Sequence, residues 1–154
     1  MAEEKNKIGF SLKKITTEQF AIIESSYIEG EVVELKAGLR FGINFENHII
    51  SVVFSTNLIQ EKSPFLIIEV GCHFNISKDA WESFYNESKT ELIVPKGFIG
   101  HLVMLTIGTT RGVLHSKTEN TPFNSFLLPT LNVMELVKKD VVFKVEGEKK
   151  QNAI

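Results

Sequence analysis

The sequence predicts an α+β fold: a four-stranded antiparallel sheet, laid out as a meander, with helices packed on one face. Three observations predict it. The first half of the chain alternates apolar and polar residues with a period of two, the second half carries apolar residues at helical spacing, and the strand-like runs are joined by short turns. A length of 154 residues suits one domain, 1–154, with a single core and polar tails near 1–8 and 146–154 that are expected to fray.

From Val33 to Phe45 every odd position is apolar or small (Val33, Leu35, Ala37, Leu39, Phe41, Ile43, Phe45) and the even positions are polar or glycine. Such alternation fixes the register of a half-buried strand, because a slip of one residue would turn every apolar side chain to water. Glu46-Asn47-His48 reads as a turn, after which Ile50, Val52, Phe54, Thr56 and Leu58 continue the pattern. Glu61–Pro64 closes a hairpin onto a strand whose Leu66, Ile68, Val70, Cys72, Phe74 and Ile76 share a face. The earlier run, Phe10–Glu24, alternates less regularly and is expected to carry a bulge.

In the second half, Ser77 is placed to cap a short helix bearing Trp81, Phe84 and Tyr85. Asn86–Thr90 is a loop, and Pro95 opens a long helix that runs to about Lys117. A final helix follows Pro129, with Asn132 and Glu135 spaced as a capping box.

On the long helix, Ile99, Leu102, Val103, Thr106, Thr110 and Val113 form the stripe that should meet the sheet. The opposite side holds Gly97, Gly100, His101, Met104, Gly108, Arg111, Gly112 and His115. Glycine costs a helix about 1 kcal/mol relative to alanine, and a solvated face gains nothing in return. A close-packed interface does gain, so the seam implies a homo-oligomer whose interface includes Gly100, Met104, Gly108 and Arg111. The alternative is a helix broken at Gly108 and Gly112.

Composition excludes several classes. A net charge of −2 gives no electrostatic reason for nucleic acid as a partner. Cys72 is the single cysteine, so there is no internal disulfide and no cysteine-rich zinc site. The absence of an 18–20-residue apolar run argues against membrane insertion, and a charged start without an apolar h-region places the chain in the cytoplasm. His101 and His115 lie about 21 Å apart along one helix and cannot share a metal. Gly108-Thr-Thr-Arg-Gly112 lacks the ending of a phosphate loop. No catalytic motif stands out, so the expectation is a protein that is not an enzyme and needs neither cofactor nor metal. The connection 118–131 is unusually apolar, with Phe123, Phe126, Leu127, Leu128 and Leu131 between and beyond Pro122 and Pro129. Those rings either cover a core edge or line a groove for apolar polypeptide.

Four motifs stand in order along the chain: Phe10-x-Leu12-x-x-Ile15-x-Thr17 with Phe20, Glu69-Val70-Gly71-Cys72-x-Phe74-x-Ile76, Pro95 with the later Arg111-Gly112, and Phe126-Leu-Leu-Pro-Thr-Leu-Asn-Val133. In these, over roughly Phe10 to Leu136, the chain resembles the SecB family of export chaperones. The resemblance implies dimers paired through their long helices into a tetramer. It implies an ATP-independent holdase that binds unfolded polypeptides or preproteins for export. Phe123, Phe126 and Leu128 would line the client groove, with Phe20 and Phe41 on the sheet side. The resemblance also names the SecA motor as a delivery partner. Members that dock that motor are strongly acidic, whereas here Gln19 and Ile23 stand at the matching end of the first strand, with Glu18 and Glu24 each displaced by one. The stretch before Pro129 is also longer than the family's. A SecB-fold adaptor with one dedicated partner is the alternative function.

Overall fold

The computed structural model describes residues 7–145. The expected tails at 1–6 and 146–154 lie outside these residues; Lys7 and Ile8 have no regular structure. The architecture is the expected one, α+β with a four-stranded antiparallel sheet. Its strands are β1 (Phe10–Ile22), β2 (Glu34–Asn44), β3 (Ile49–Gln60) and β4 (Ser63–Ile76), in the order β1-β4-β3-β2. The meander proper is β2-β3-β4, and the connection 23–33 carries the chain from β1, beside β4, to β2 on the far edge.

The alternation read from the sequence sets the register. Ile50, Val52 and Phe54 of β3 and Ile68, Val70, Cys72 and Phe74 of β4 are all fully buried on the helix-covered face. β1 carries two irregularities, at Leu12/Lys14 and Thr17/Gln19, where one bulge was expected. The β3–β4 turn is made by Glu61 and Lys62, both with left-handed backbone (φ 45° and 69°). Two such residues give the turn a twist that matches the strands it joins.

Three helices follow: α1 (Lys78–Phe84), α2 (Lys96–Thr118) and α3 (Val133–Leu136). Ser77 occupies the cap position of α1 without a side-chain bond; its backbone N–H donates to Gly9 O instead (2.8 Å). Pro95 is the residue before α2 rather than its first. α2 is unbroken through Gly108 and Gly112, so the broken-helix alternative does not hold. By length and composition this 23-residue helix is apolar enough to cross a membrane, contrary to the sequence expectation. Here it lies on the sheet, burying Phe98, Ile99, Leu102, Val103, Ile107 and Leu114.

α2 also buries Thr106, Thr110 and Thr118, and each hydroxyl donates to the carbonyl four residues back (2.8 Å in each case). A short polar side chain can thus enter a core by bonding within its own helix. Among the described residues no hydrogen bond joins α2 to β1–β4.

The final helix is shorter than expected. Asn132 caps it, its Oδ1 accepting from Met134 N (3.1 Å), but Glu135 does not complete the box and α3 ends after one turn. The chain then enters a strand that the sequence did not announce. β5 (Glu91–Val94) and β6 (Val141–Lys144) form a separate antiparallel pair.

Candidate functional site

The residues expected to hold a client fall into two groups. Phe123 and Leu128 are 5% and 4% exposed, inside the core. Phe123 packs edge-on to Tyr27 (5.2 Å), and Phe126 lies 5.2 Å from Phe65 and 5.8 Å from Tyr27. The connection therefore covers a core edge through a four-ring cluster, and only Leu127 among its apolar residues stands fully out (63%). Phe20 is half-buried opposite Ile68. Phe41 is half-buried and borders a hollow of about 310 Å³ together with Leu136, Val137, Lys138, Lys139, Asp140 and Val141.

Arg111, expected at an oligomer interface, bonds within its own chain. Its Nε donates to Leu128 O and its guanidinium Nη2 to Pro129 O, both at 3.2 Å. It anchors the aromatic connection to α2. Gly100 receives Val133 of α3, whose Cγ1 would lie 3.6 Å from a Cβ placed there. Gly97, Gly108 and Gly112 meet open space, and Met104 is 53% exposed.

That open side of α2 has a second wall. α3 and the residues after it run beside Gly97, Gly100, His101 and Met104, and enclose a groove of about 540 Å³ lined also by Val133, Met134, Val137, Lys96 and Lys138. Val137 and Lys138 also border the Phe41 hollow, so the two concavities adjoin. Met134 is 83% exposed at the rim. Methionine is unbranched and polarizable, and methionine-rich surfaces accommodate apolar partners of varied shape. Sequence reasoning found Gly100 and Met104 but missed Val133, Met134 and Val137. The residues 133–137 were read only as part of a final helix.

A different concavity of about 510 Å³ has a mixed lining: Glu18, Arg40, Ser51 and His73 border it together with Phe41, Ile43, Phe45, Ile49 and Val53. Thr16 donates to Glu18 Oε1 (2.7 Å), which leaves its oxygen to accept from His73 Nε2 (3.1 Å). His73 Nδ1 is then an acceptor, for Ser51 Oγ at 2.7 Å. Burial pushes the His73 pKa below the ordinary histidine value; the nearby Lys14 charge adds to this and Glu18 opposes it. Gly71 makes room for the network, because a Cβ there would lie 2.6 Å from Thr16 Oγ1. Arg40 pairs with Glu69 on the uncovered sheet face. The other histidines stand apart: His48 stacks on Trp81 (4.8 Å), His101 meets Phe10 edge-on (5.6 Å), and His115 lies 3.7 Å from Glu119. Among the described residues no three potential metal ligands converge.

No protein-family model matches the chain, and no curated protein matches it. Among solved structures, the chain is similar to the Mycobacterium tuberculosis Rv1957 SecB-like chaperone, which was solved in complex with a ChAD peptide from the Rv1956 HigA1 antitoxin. The two share 8% identity and a TM-score of 0.44, over 80% of this chain and 91% of that one. Similarity at this level carries nothing about binding or assembly.

Proposed function

We propose that this chain is a non-catalytic, cytoplasmic polypeptide-binding protein that holds apolar segments of unfolded clients without ATP. The observation that carries the proposal is the α2–α3 groove, in which Met104, Val133, Met134 and Val137 lie over a floor opened by Gly97 and Gly100. Burial of apolar surface is non-directional, so such a groove takes many sequences. Phe41, in the adjoining hollow, extends the apolar contact toward the sheet edge. The client contacts thus move from the aromatic connection, which is committed to the core, to α3 and the residues after it. Export, with delivery to the SecA motor, remains part of the proposal as one destination of the client. A second copy packs on the α2 face around Gly108, beyond the groove, giving the homo-oligomer, a dimer of dimers.

The test is light-scattering mass and aggregation assays with a reduced, permanently unfolded protein. Wild type should gain mass with the unfolded chain and not with its folded form, and should suppress aggregation without nucleotide. Val137→Asn places an unmatched amide in the groove and should weaken client binding about tenfold, since a polar group left unpaired in an apolar contact costs about 1–3 kcal/mol. An oligomer that ignores unfolded protein would instead favour the adaptor with one dedicated partner. Phe126→Ser is the poorer test, because it removes a ring from the Tyr27–Phe65–Phe123 cluster and loosens the fold itself.

A further inference from the structure

The charged side chains at the groove share one sign. Lys96 and Lys138 line it, and Lys138 and Lys139 line the adjoining hollow. Among the described residues, Lys96, Lys138 and Lys139 have no carboxylate within ion-pair distance. Asp140 is the one acidic residue bordering either concavity, and its Oδ1 accepts from the Lys96 backbone N–H (2.8 Å) at the start of α2. Glu135, on α3, borders neither. The concentration of basic groups is local, because the whole chain has 17 basic and 19 acidic residues.

A chaperone groove with this rim does not treat all apolar segments alike. Resting on the polypeptide-binding function above, we propose that the groove prefers apolar client segments flanked by aspartate or glutamate. The apolar side chains occupy the space between Met104, Val133, Met134 and Val137, and a flanking carboxylate meets Lys96, Lys138 and Lys139, which gather at the end beside the start of α2 where Asp140 bonds the Lys96 N–H. Each exposed ion pair contributes modestly, so the rim selects among segments that the apolar contact already holds. Two or three pairs together amount to about a tenfold preference, which salt weakens because the charges are solvated. Orientation follows as well: a segment with acid at one end lays that end beside the start of α2.

The experiment is fluorescence anisotropy with three labelled peptides that share one Leu- and Phe-rich centre and carry Glu, Ser or Lys at both ends. It is run at low and high salt, on wild type and on the Lys96→Glu/Lys138→Glu/Lys139→Glu variant, whose exposed positions leave the fold intact. Wild type should bind the Glu-flanked peptide about tenfold more tightly than the Lys-flanked one. The gap should narrow in high salt and reverse in the variant. Equal affinities, or a Lys-flanked preference in wild type, would overturn the charge preference and leave client binding standing. No binding of any peptide would overturn the client function, and the preference with it. A Glu preference that persists in the variant would place acid recognition outside the groove. A change in the variant's mass without peptide would show that a second copy occupies the groove instead.

Discussion

Thr56 sits fully within the sheet–helix core, and its hydroxyl has no hydrogen-bond partner among the described residues. An unmatched buried hydroxyl is a net loss, so Thr56→Val, which keeps the shape, should raise stability by about 1 kcal/mol, read as a higher urea midpoint at unchanged slope. His73 behaves oppositely to a salt-bridged histidine. Its folded pKa is below the unfolded value of 6.5. The unfolded chain therefore takes up a proton at a pH where the folded chain does not, and stability falls on acidification. The contribution is full above the unfolded pKa and is lost as pH falls through the folded one. His73→Gln should flatten the stability curve in that window. Parallel acid loss in wild type and variant would show that another group responds. The open-face network itself was not legible: Thr16, Ser51 and His73 are 35 and 22 residues apart, and only the strand register brings them together.

At the scale of the element, strands were far more legible than the short pieces that follow α2. Seven alternating positions in 33–45 leave one register possible, and β2 pairs with β3 without interruption. By contrast 133–144 splits into one helical turn and a four-residue strand. Too few residues remain in either for a period to show, and Lys138-Lys139-Asp140 separates them. The small-residue seam on α2 was visible, but not that α3 would take up part of it. Two variants separate the roles along this helix. Arg111→Ala removes both bonds to the 128–129 carbonyls, so it should cost about 1–2 kcal/mol and speed proteolysis within 119–132, seen by mass spectrometry of the fragments. Gly108→Leu has open space in the single chain. If a second copy packs there, oligomer mass should drop; an unchanged mass with stability raised by about 1 kcal/mol would mean that the face is solvated.

For the whole molecule, the two sides of the sheet are divided by chemistry. The helix-covered side holds the core and leads outward to the apolar groove, whereas the uncovered side carries Arg40–Glu69 and the His73 network. The client and charge tests therefore have an internal control: Arg40→Ala, on the uncovered face, should leave the binding of all three flanked peptides unchanged. A shift comparable to that of the lysine variant would mean that the concavity beside Arg40 takes part in recognition. The fold class was readable because one periodicity governs half the chain. The groove was not, because its walls come from segments some 30 residues apart that meet only after the aromatic connection has folded between them.

The buried threonine hydroxyls of α2 donate only to carbonyls of α2 itself. The contact between helix and sheet is consequently greasy throughout, with no directional bond to mark a unique position along it. The position of such a contact is set by the interlocking shapes of its apolar side chains. The helix that forms the groove's floor is therefore placed by volume rather than by direction, and a methylene added to or removed from the core beneath it is felt at the groove.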